Sequence, residues 1–187
     1  MKKHKIMQQK KYIARSMVKK ELKFTPKKEK DTKIARTRDA ASLVLLKKTR
    51  KEVKVLLGKR SEKTRFMPGA WVFPGGVLDK SDYKIPETTK LNNNIIQKLV
   101  VSNNVQAANA LAIASIRETV EETGLILGKK SKNVSHINDE NINNGITIMS
   151  KKGLVPDLAK LVYLGRAITP TFSPIRFHAR FFMADAK

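Results

Sequence analysis

The chain has 187 residues, 41% of them hydrophobic, which is enough for one globular domain with a buried core and excludes a largely disordered protein. It contains no cysteine, which excludes disulfides and thiolate metal sites and favours a reducing, cytoplasmic setting. The formal net charge is +23, and no apolar stretch approaches the roughly 18 residues of a membrane-spanning helix.

The positive charge raises the hypothesis of nucleic-acid binding. Residues 1–38 hold 15 Lys and Arg residues against three acidic ones, and the excess continues through the rest of the chain. Few aromatic residues are interleaved with these cations, although stacking usually accompanies charge where nucleic acid is bound. We therefore interpret the charge as a solvated excess and consider nucleic acid the less favoured partner. Residues 1–38 are predicted to be a mobile basic arm before a single domain over 39–187.

The domain is predicted to begin with a β-hairpin. Two aliphatic runs, at 43–46 and 53–57, flank a charged connection, a pattern typical of paired strands. The Pro- and Gly-rich FMPGAWVFPGG follows, where a loop must adopt unusual backbone angles. Residues 83–110 are Asn-rich at both ends and are predicted to be an insertion around a short helical patch.

One long helix and two further strands are predicted after the insertion. The helix runs from about Asn109 to Thr123 and is ended by Gly124. After the Lys- and Asn-rich residues 129–153, the segments LVYLGRAITP and RFHARFFMAD alternate like two strands joined through TPTFSP. This order of strands and helix predicts a mixed β-sheet with helical cover, an α/β (α+β) fold.

The long helix carries a cluster of glutamates. Glu118, Glu121 and Glu122 fall within roughly 100° of arc, opposite an aliphatic stripe. One interpretation is a surface helix with a single Arg117–Glu121 pair, worth roughly 0.2–0.5 kcal/mol. The other is a divalent-cation site, because ions such as Mg²⁺ take carboxylate oxygens and would offset the repulsion among the three charges. The helix alone leaves both interpretations open.

The residues before this helix connect it to a known family. WVFPGGVLDKSD followed by RETVEETGL resembles the Nudix box, G-x5-E-x7-R-E-U-x-E-E-x-G-U, in which U is a bulky aliphatic residue and Gly76 leads. Asp82 stands where the family has Glu, Thr119 stands at an aliphatic position, and 34 residues instead of seven separate Asp82 from Arg117. The insertion is physically tolerable, because closing a longer surface loop costs little extra entropy.

A second resemblance lies upstream. LLGKRSEKTRFMPGAWVFPGG is similar to the signature of the coenzyme A diphosphatase branch, L-L-T-x-R-[SA]-x3-R-x3-G-x3-F-P-G-G, and departs from it only at Gly58. The split box and the downstream RAITPTFSPIRFHARFFMA look like the relatives of the peroxisomal acyl-CoA diphosphatase. The resemblance covers about residues 40–186.

The resemblance implies a Nudix α/β/α sandwich that hydrolyses a phosphoanhydride bond of coenzyme A or acyl-CoA, giving 3′,5′-ADP and (acyl-)phosphopantetheine. It implies that Glu118, Glu121 and Glu122 bind Mg²⁺ or Mn²⁺ and that one of them also acts as a base for the attacking water. Arg117 would orient the glutamates, so Glu118, Glu121 and Arg117 are the candidate catalytic residues. Asp82 is expected to support this site from behind the metal ligands.

The resemblance also supplies candidate substrate-binding residues. Gly75 and Gly76 would let the backbone approach metal and phosphate closely, and Arg60 and Arg65 would bind the phosphates of coenzyme A, since guanidinium groups bind phosphate bidentately. A solvated strand end is the alternative interpretation of both arginines. His178 is expected to be structural rather than catalytic.

Several alternatives stay open. The substrate could instead be ADP-ribose, a nucleotide sugar or capped RNA, and an inactive or nucleic-acid-binding relative is a further alternative. The family's sheet usually continues into a final helix, so one sheet face is expected to lack that cover here. Trp71 and Phe73 are expected to pack in the core. The oligomeric state is undetermined, with a homodimer as one alternative.

Overall fold

The computed structural model describes residues 34–85, 90–99, 104–132, 134 and 145–186. Nearly all of the predicted basic arm, and part of the connection predicted over 129–153, lie outside the described residues. The described elements are, in chain order, β1 (Arg38–Lys48), β2 (Val53–Val55), β3 (Gly58–Lys59), β4 (Trp71–Val72), β5 (Gly75–Val77), a 3₁₀ turn (Lys80–Lys84), α1 (Asn93–Lys98), α2 (Val105–Thr123), β6 (Gly128–Lys130), α3 (Gly145–Ser150), β7 (Leu154–Pro156), a second 3₁₀ turn (Leu158–Lys160), β8 (Val162–Ile168) and β9 (Phe177–Asp185).

A mixed sheet with strand order β2-β1-β9-β8 lies at the centre of the fold. β1 pairs parallel with β9, while β2 pairs antiparallel with one end of β1 and β8 pairs antiparallel with β9. β5 pairs antiparallel with the other end of β1, along the edge that β2 also uses. These pairings confirm the predicted mixed sheet, the hairpin of β1 and β2, and the two C-terminal strands.

β1 is central because its sequence, RDAASLVLLKK, supplies apolar side chains to both faces of the sheet. Leu43 and Leu45 are buried on the face that packs against α2, and Val44 is buried on the opposite face. A strand that is buried on both faces has a continuous hydrophobic run rather than an alternating one. The run at 43–46 therefore identifies the strand on which the other elements assemble.

The helix α2 is longer than the sequence pattern predicts. It begins after Asn104, whose side chain accepts a hydrogen bond from the Ala107 N–H at 3.0 Å, and ends at Gly124, which has a φ of 72°. Its first turns lie in the segment that we assigned to the insertion over 83–110, so the predicted helix start at about Asn109 is wrong. The Asn residues there are not loop residues: Asn104 caps the helix, and the side chain of Asn109 accepts from the Leu91 N–H at 3.1 Å.

The loop before β5 covers part of the sheet face opposite α2. Phe73 packs edge-on against Phe181, with ring centroids 6.3 Å apart, and Phe66 packs in the same way against Phe177 at 5.0 Å. Trp71 is 66% exposed, so the prediction that it packs in the core is wrong. It lies in the two-residue strand β4, which pairs with β3 and not with the main sheet.

At the β8 edge, Val162 and Leu164 stay about half exposed. None of the helices in the described ranges combines the length and the apolar character that crossing a bilayer requires.

Candidate active site

The acidic face of α2 lies against the loop that carries Gly75 and Gly76. The Gly75 N–H donates a hydrogen bond to Glu122 Oε2 at 3.3 Å. A Cβ added to Gly76 would overlap the carboxylate of Glu118. Glu118 and Glu122 therefore face the Pro-Gly-Gly loop, and the structure brings these predicted site residues together.

Both glycines are required by close approach of backbone and side chain. A Cβ at Gly75 would collide with Ser42 and with the carbonyl oxygen of Ala41, so β5 could not pair with β1 as it does. A Cβ at Gly76 would occupy the space of the Glu118 carboxylate on the other side of the loop. Glycine is the residue that fits where two backbones or a backbone and a ligand must come this close.

Arg117 is buried at the centre of the site and donates hydrogen bonds to two of the glutamates. Its side chain is only 6% exposed, and Nη1 donates to Glu118 Oε1 at 2.8 Å and to Glu121 Oε2 at 3.2 Å. Nη2 donates to the carbonyl oxygen of Val77 at 3.0 Å, which ties the guanidinium to β5. Arg117 therefore makes the contact to Glu121 considered from the sequence and, in addition, contacts Glu118 and β5.

Asp82 binds the same guanidinium through two further hydrogen bonds. Its buried carboxylate accepts from Arg117 Nε at 2.8 Å and from Nη2 at 3.2 Å, a bidentate pair. It also accepts from the Asp79 N–H at 2.8 Å and is therefore fixed within its own 3₁₀ turn. Despite its shorter side chain and the 35 positions to Arg117, Asp82 occupies the supporting position expected of it.

The threonine at the aliphatic position of the motif is accommodated without an unpaired polar group. Thr119 is 1% exposed, and its hydroxyl donates to the carbonyl oxygen of Ser115 at 2.8 Å. A buried hydroxyl is tolerated when it bonds back to the helix in this way.

Gly145 is a site residue that the sequence reasoning missed. Its N–H, at the start of α3, donates to Glu121 Oε1 at 2.8 Å. A Cβ there would overlap the carbonyl oxygen of Arg117 and lie 3.1 Å from Val120 Cβ. Gly145 lies in an Asn-rich stretch with no motif, so no signal in the sequence pointed to it.

Burial sets the electrostatics of the glutamates. Desolvation raises the pKa of Glu118, opposed by Arg117 and reinforced by the neighbouring glutamates. Desolvation also raises the pKa of Glu122, opposed by the Gly75 N–H and by the charge of Arg60. Burial disfavours the charged form of Arg117, but Asp82 and Glu118 outweigh that effect and raise the pKa of Arg117. Arg117 is therefore protonated, and additional positive charge nearby would stabilise the ionised forms of Glu118 and Glu122.

The donor set suits a hard divalent cation. Three carboxylates provide the oxygen ligands that Mg²⁺ and Mn²⁺ prefer. As the side chains stand, no three or more His, Cys, Asp or Glu residues in the described ranges are arranged to hold a metal ion. The glutamate oxygens instead accept hydrogen bonds from Arg117, from the Gly75 N–H and from the Gly145 N–H. A cation that binds to these carboxylates must therefore replace some of these hydrogen bonds.

The two candidate phosphate-binding arginines differ in placement. Arg60 follows β3, and its positive charge lowers the pKa of Glu122, against the larger effect of burial. Its Nε is buried and has no hydrogen-bond partner among the described residues. Arg65 is exposed in the loop between β3 and β4, and no described contact joins it to the glutamates. His178 lies in β9 between Asp39 and Arg166, and its structural role stays a prediction.

Comparison with known proteins gives consistent results. No protein-family model matches the chain. It is 30% identical over 158 residues to a putative nudix hydrolase 7 of Caenorhabditis elegans, which covers 78% of this chain and 43% of that protein. It is 31% identical over 97 residues to the acyl-coenzyme A diphosphatase NUDT19 of Xenopus laevis, covering 41% and 26%. The chain thus spans less than half the length of these curated relatives.

A solved structure matches over most of the fold. The NUDIX hydrolase of Alicyclobacillus acidocaldarius superposes with a TM-score of 0.58 and 28% identity, covering 81% of this chain and 71% of that one. The fold is that of a Nudix hydrolase, with a mixed sheet and few helices. The chain is therefore similar in sequence to curated Nudix hydrolases and similar in fold to a solved one.

Proposed function

We propose that this protein is a metal-dependent Nudix hydrolase that cleaves the diphosphate bond of coenzyme A or acyl-CoA, releasing 3′,5′-ADP and (acyl-)phosphopantetheine. The observation that carries the proposal is the meeting of the α2 glutamates with the Gly75–Gly76 loop around a buried Arg117. Hydrolysis of a phosphoanhydride depends mainly on positioning and on neutralising charge at the phosphoryl oxygens. This arrangement provides a rigid set of acidic groups beside a backbone that a phosphate can approach.

Each side chain has a defined part in this proposal. Glu118, Glu121 and Glu122 would hold Mg²⁺ or Mn²⁺, and the ion would neutralise the charge of the diphosphate and lower the pKa of bound water. Arg117 keeps Glu118 and Glu121 in fixed orientations, because one nitrogen bonds to both carboxylates. Glu118 and Glu121 are the candidates for the base that takes a proton from the attacking water. Gly75 and Gly76 would let the backbone come close to the metal and the phosphate.

The substrate class rests on the upstream signature and on Arg60. Arg60 is the arginine of that signature whose charge acts on Glu122, and its buried Nε lacks a partner among the described residues. Guanidinium groups bind phosphate through paired hydrogen bonds, so a phosphate near Glu122 would give this nitrogen an acceptor. The partial match to an acyl-coenzyme A diphosphatase supports the same substrate class.

The test is incubation of the purified protein with Mg²⁺ or Mn²⁺ and acyl-CoA, followed by chromatographic detection of 3′,5′-ADP. Glu122→Gln nearly preserves the shape of the side chain while removing a ligand charge, and it should lower turnover at least about tenfold. Glu52→Gln is the matched control, because Glu52 is exposed and pairs with Lys54 away from the site.

ADP-ribose, a nucleotide sugar and capped RNA serve as comparison substrates. Release of 3′,5′-ADP from acyl-CoA that depends on the metal and on Glu122 supports the proposal. Cleavage of a comparison substrate without cleavage of coenzyme A or acyl-CoA contradicts the substrate class and leaves the site assignment in place. Equal loss in Glu122→Gln and Glu52→Gln contradicts the site assignment.

A further inference from the structure

A second cluster of charged side chains lies at the end of the sheet where β5 pairs with β1. Arg180 Nη1 donates to the carboxylate of Asp39 and, at 2.8 Å, to the carbonyl oxygen of His178. The His178 ring lies between Asp39, with Nδ1 3.8 Å from Oδ1, and Arg166, with Nε2 3.4 Å from Nη1. Side chains at 178, 180 and 182 share one face of β9, and Phe182 packs in the core. The cluster is therefore on the same face of the sheet as α2.

This cluster is short of negative charge. Arg166 and Arg180 are directly opposite each other across β8 and β9, and like charges in that position destabilise a sheet. Within the described part of the chain, Asp39 pairs with Arg180, and the Asp39 side chain is half exposed. The Arg180 side chain is only 3% exposed, and its buried Nε has no hydrogen-bond partner among the described residues. A bound anion would stabilise this pair, because it would accept a hydrogen bond from the unused Arg180 donor and offset the repulsion between the two arginines.

The register of the sheet places this cluster close to the glutamate site. Ala41 is the partner of Gly76 on one side and of Arg180 on the other. Neighbouring strands are about 4.8 Å apart, so the backbones at Gly76 and Arg180 are separated by roughly 10 Å. Gly76 is the residue that contacts the space of Glu118. This separation is comparable to the length of a nucleotide.

The surroundings of His178 agree with an electropositive position. Burial lowers the pKa of His178, and the charge of Arg180 lowers it further, against the opposing effect of Asp39.

We propose that Arg166 and Arg180 form a second anion subsite that takes a phosphate monoester of the substrate, separate from the diphosphate at the α2 glutamates. The subsite rests on the proposed function, in which a nucleotide diphosphate lies against Gly75 and Gly76. In coenzyme A the matching group is the 3′-phosphate of the adenosine. Arg166 is exposed and contacts the phosphate from the surface, while Arg180 offers its buried fork from the sheet.

The test measures binding without catalysis. The intact protein is titrated by calorimetry, in EDTA and at physiological ionic strength, with 3′,5′-ADP and with 5′-AMP, which differ by the 3′-phosphate. Wild type should bind 3′,5′-ADP about tenfold more tightly than 5′-AMP, as expected for charge-assisted hydrogen bonds to one phosphate. Arg166→Gln should reduce that ratio to near one, because it removes an exposed cation without disturbing the core.

Arg50→Gln is the matched control. It makes the same chemical change in the turn between β1 and β2, at the other end of β1, and should keep the wild-type ratio. Arg180→Lys keeps the charge but loses the fork and should lower the ratio in a folded protein. A ratio near one in wild type, or an unchanged ratio in Arg166→Gln, overturns the subsite.

Failure of the proposed function would look different. A ratio that depends on Arg166, in a protein that releases no 3′,5′-ADP from coenzyme A or acyl-CoA, supports the subsite and contradicts the activity. Hydrolysis of acyl-CoA with a ratio that is the same in wild type and Arg166→Gln supports the activity and overturns the subsite.

Discussion

Asp82→Ala should destabilise the fold strongly, because it removes one partner of a buried ion pair. The Asp82 side chain is fully buried, that of Arg117 is 6% exposed, and two hydrogen bonds join them. Breaking such a pair from one side typically costs roughly 3–5 kcal/mol, since an uncompensated charge is left in the interior. Arg117 keeps its bonds to Glu118 and Glu121, so we expect the lower end, about 3 kcal/mol.

That loss is large compared with the roughly 5–15 kcal/mol by which a typical domain is stable. For a domain of this size, each kcal/mol lowers the melting temperature by roughly 2–4 °C, so Asp82→Ala should lower it by roughly 6–12 °C. Urea and thermal unfolding of the metal-free protein, followed by circular dichroism, measure both quantities.

Asp157→Ala is the matched control. Asp157 is also buried, but its partner Lys160 is 46% exposed and can turn back into water when the carboxylate is removed. That pair should contribute no more than about 1 kcal/mol. If Asp82→Ala loses no more stability than Asp157→Ala, the argument that Asp82 compensates a buried Arg117 is wrong.

Three further predictions concern the glutamates. Gly76→Ala should abolish hydrolysis and weaken Mn²⁺ binding, because the added methyl overlaps the Glu118 carboxylate. Gly145→Ala should weaken Mn²⁺ binding at least about tenfold, because the methyl displaces the N–H that orients Glu121. Since burial raises the pKa of Glu118 and Glu122, Mn²⁺ affinity should fall with decreasing pH already above 4.5, the ordinary glutamate value.

Mn²⁺ affinity can be followed by electron paramagnetic resonance of the free ion, independently of turnover. Gly58→Ala is the control for both glycine variants, because its added methyl meets nothing within 4 Å and it should bind Mn²⁺ like wild type. Wild-type Mn²⁺ affinity in Gly145→Ala would show that the Gly145 N–H has no positioning role. An affinity that stays constant until the pH falls below 4.5 would contradict the assignment of Glu118 and Glu122 as ligands.

The sequence predicted the parts of the fold that depend on local periodicity. The run at 43–46 and the alternation in β8 and β9 follow directly from which face of a strand is buried. The predicted C-terminal end of α2 was correct, because Gly124 adopts the left-handed conformation that ends helices. The helix start was missed because asparagines read as loop residues, whereas Asn104 and Asn109 satisfy backbone N–H groups.

The candidate site was predictable only where residues form a motif. The spacing on the helix singled out Glu118, Glu121 and Glu122 as a cluster, while the resemblance to the Nudix motif supplied their role and the two glycines. The structure places Glu118 and Glu122 against the glycine loop. Gly145 could not be found in this way, because its role comes from a close approach between α3 and α2 that no local pattern records. Trp71 was misassigned because its hydrophobicity was taken to mean burial, although β4 does not join the main sheet.

The parallel pairing of β1 with β9 has a consequence for how the chain folds. Asp39 and Arg180 are joined across this pair although 141 positions separate them in the chain. Contacts between such distant segments form late, because the entropy of closing the intervening chain must be lost before the pairing stabilises anything. During synthesis, one edge of β1 therefore stays unpaired until β9 has left the ribosome. In that interval the exposed edge can pair with strands of other chains or bind chaperones.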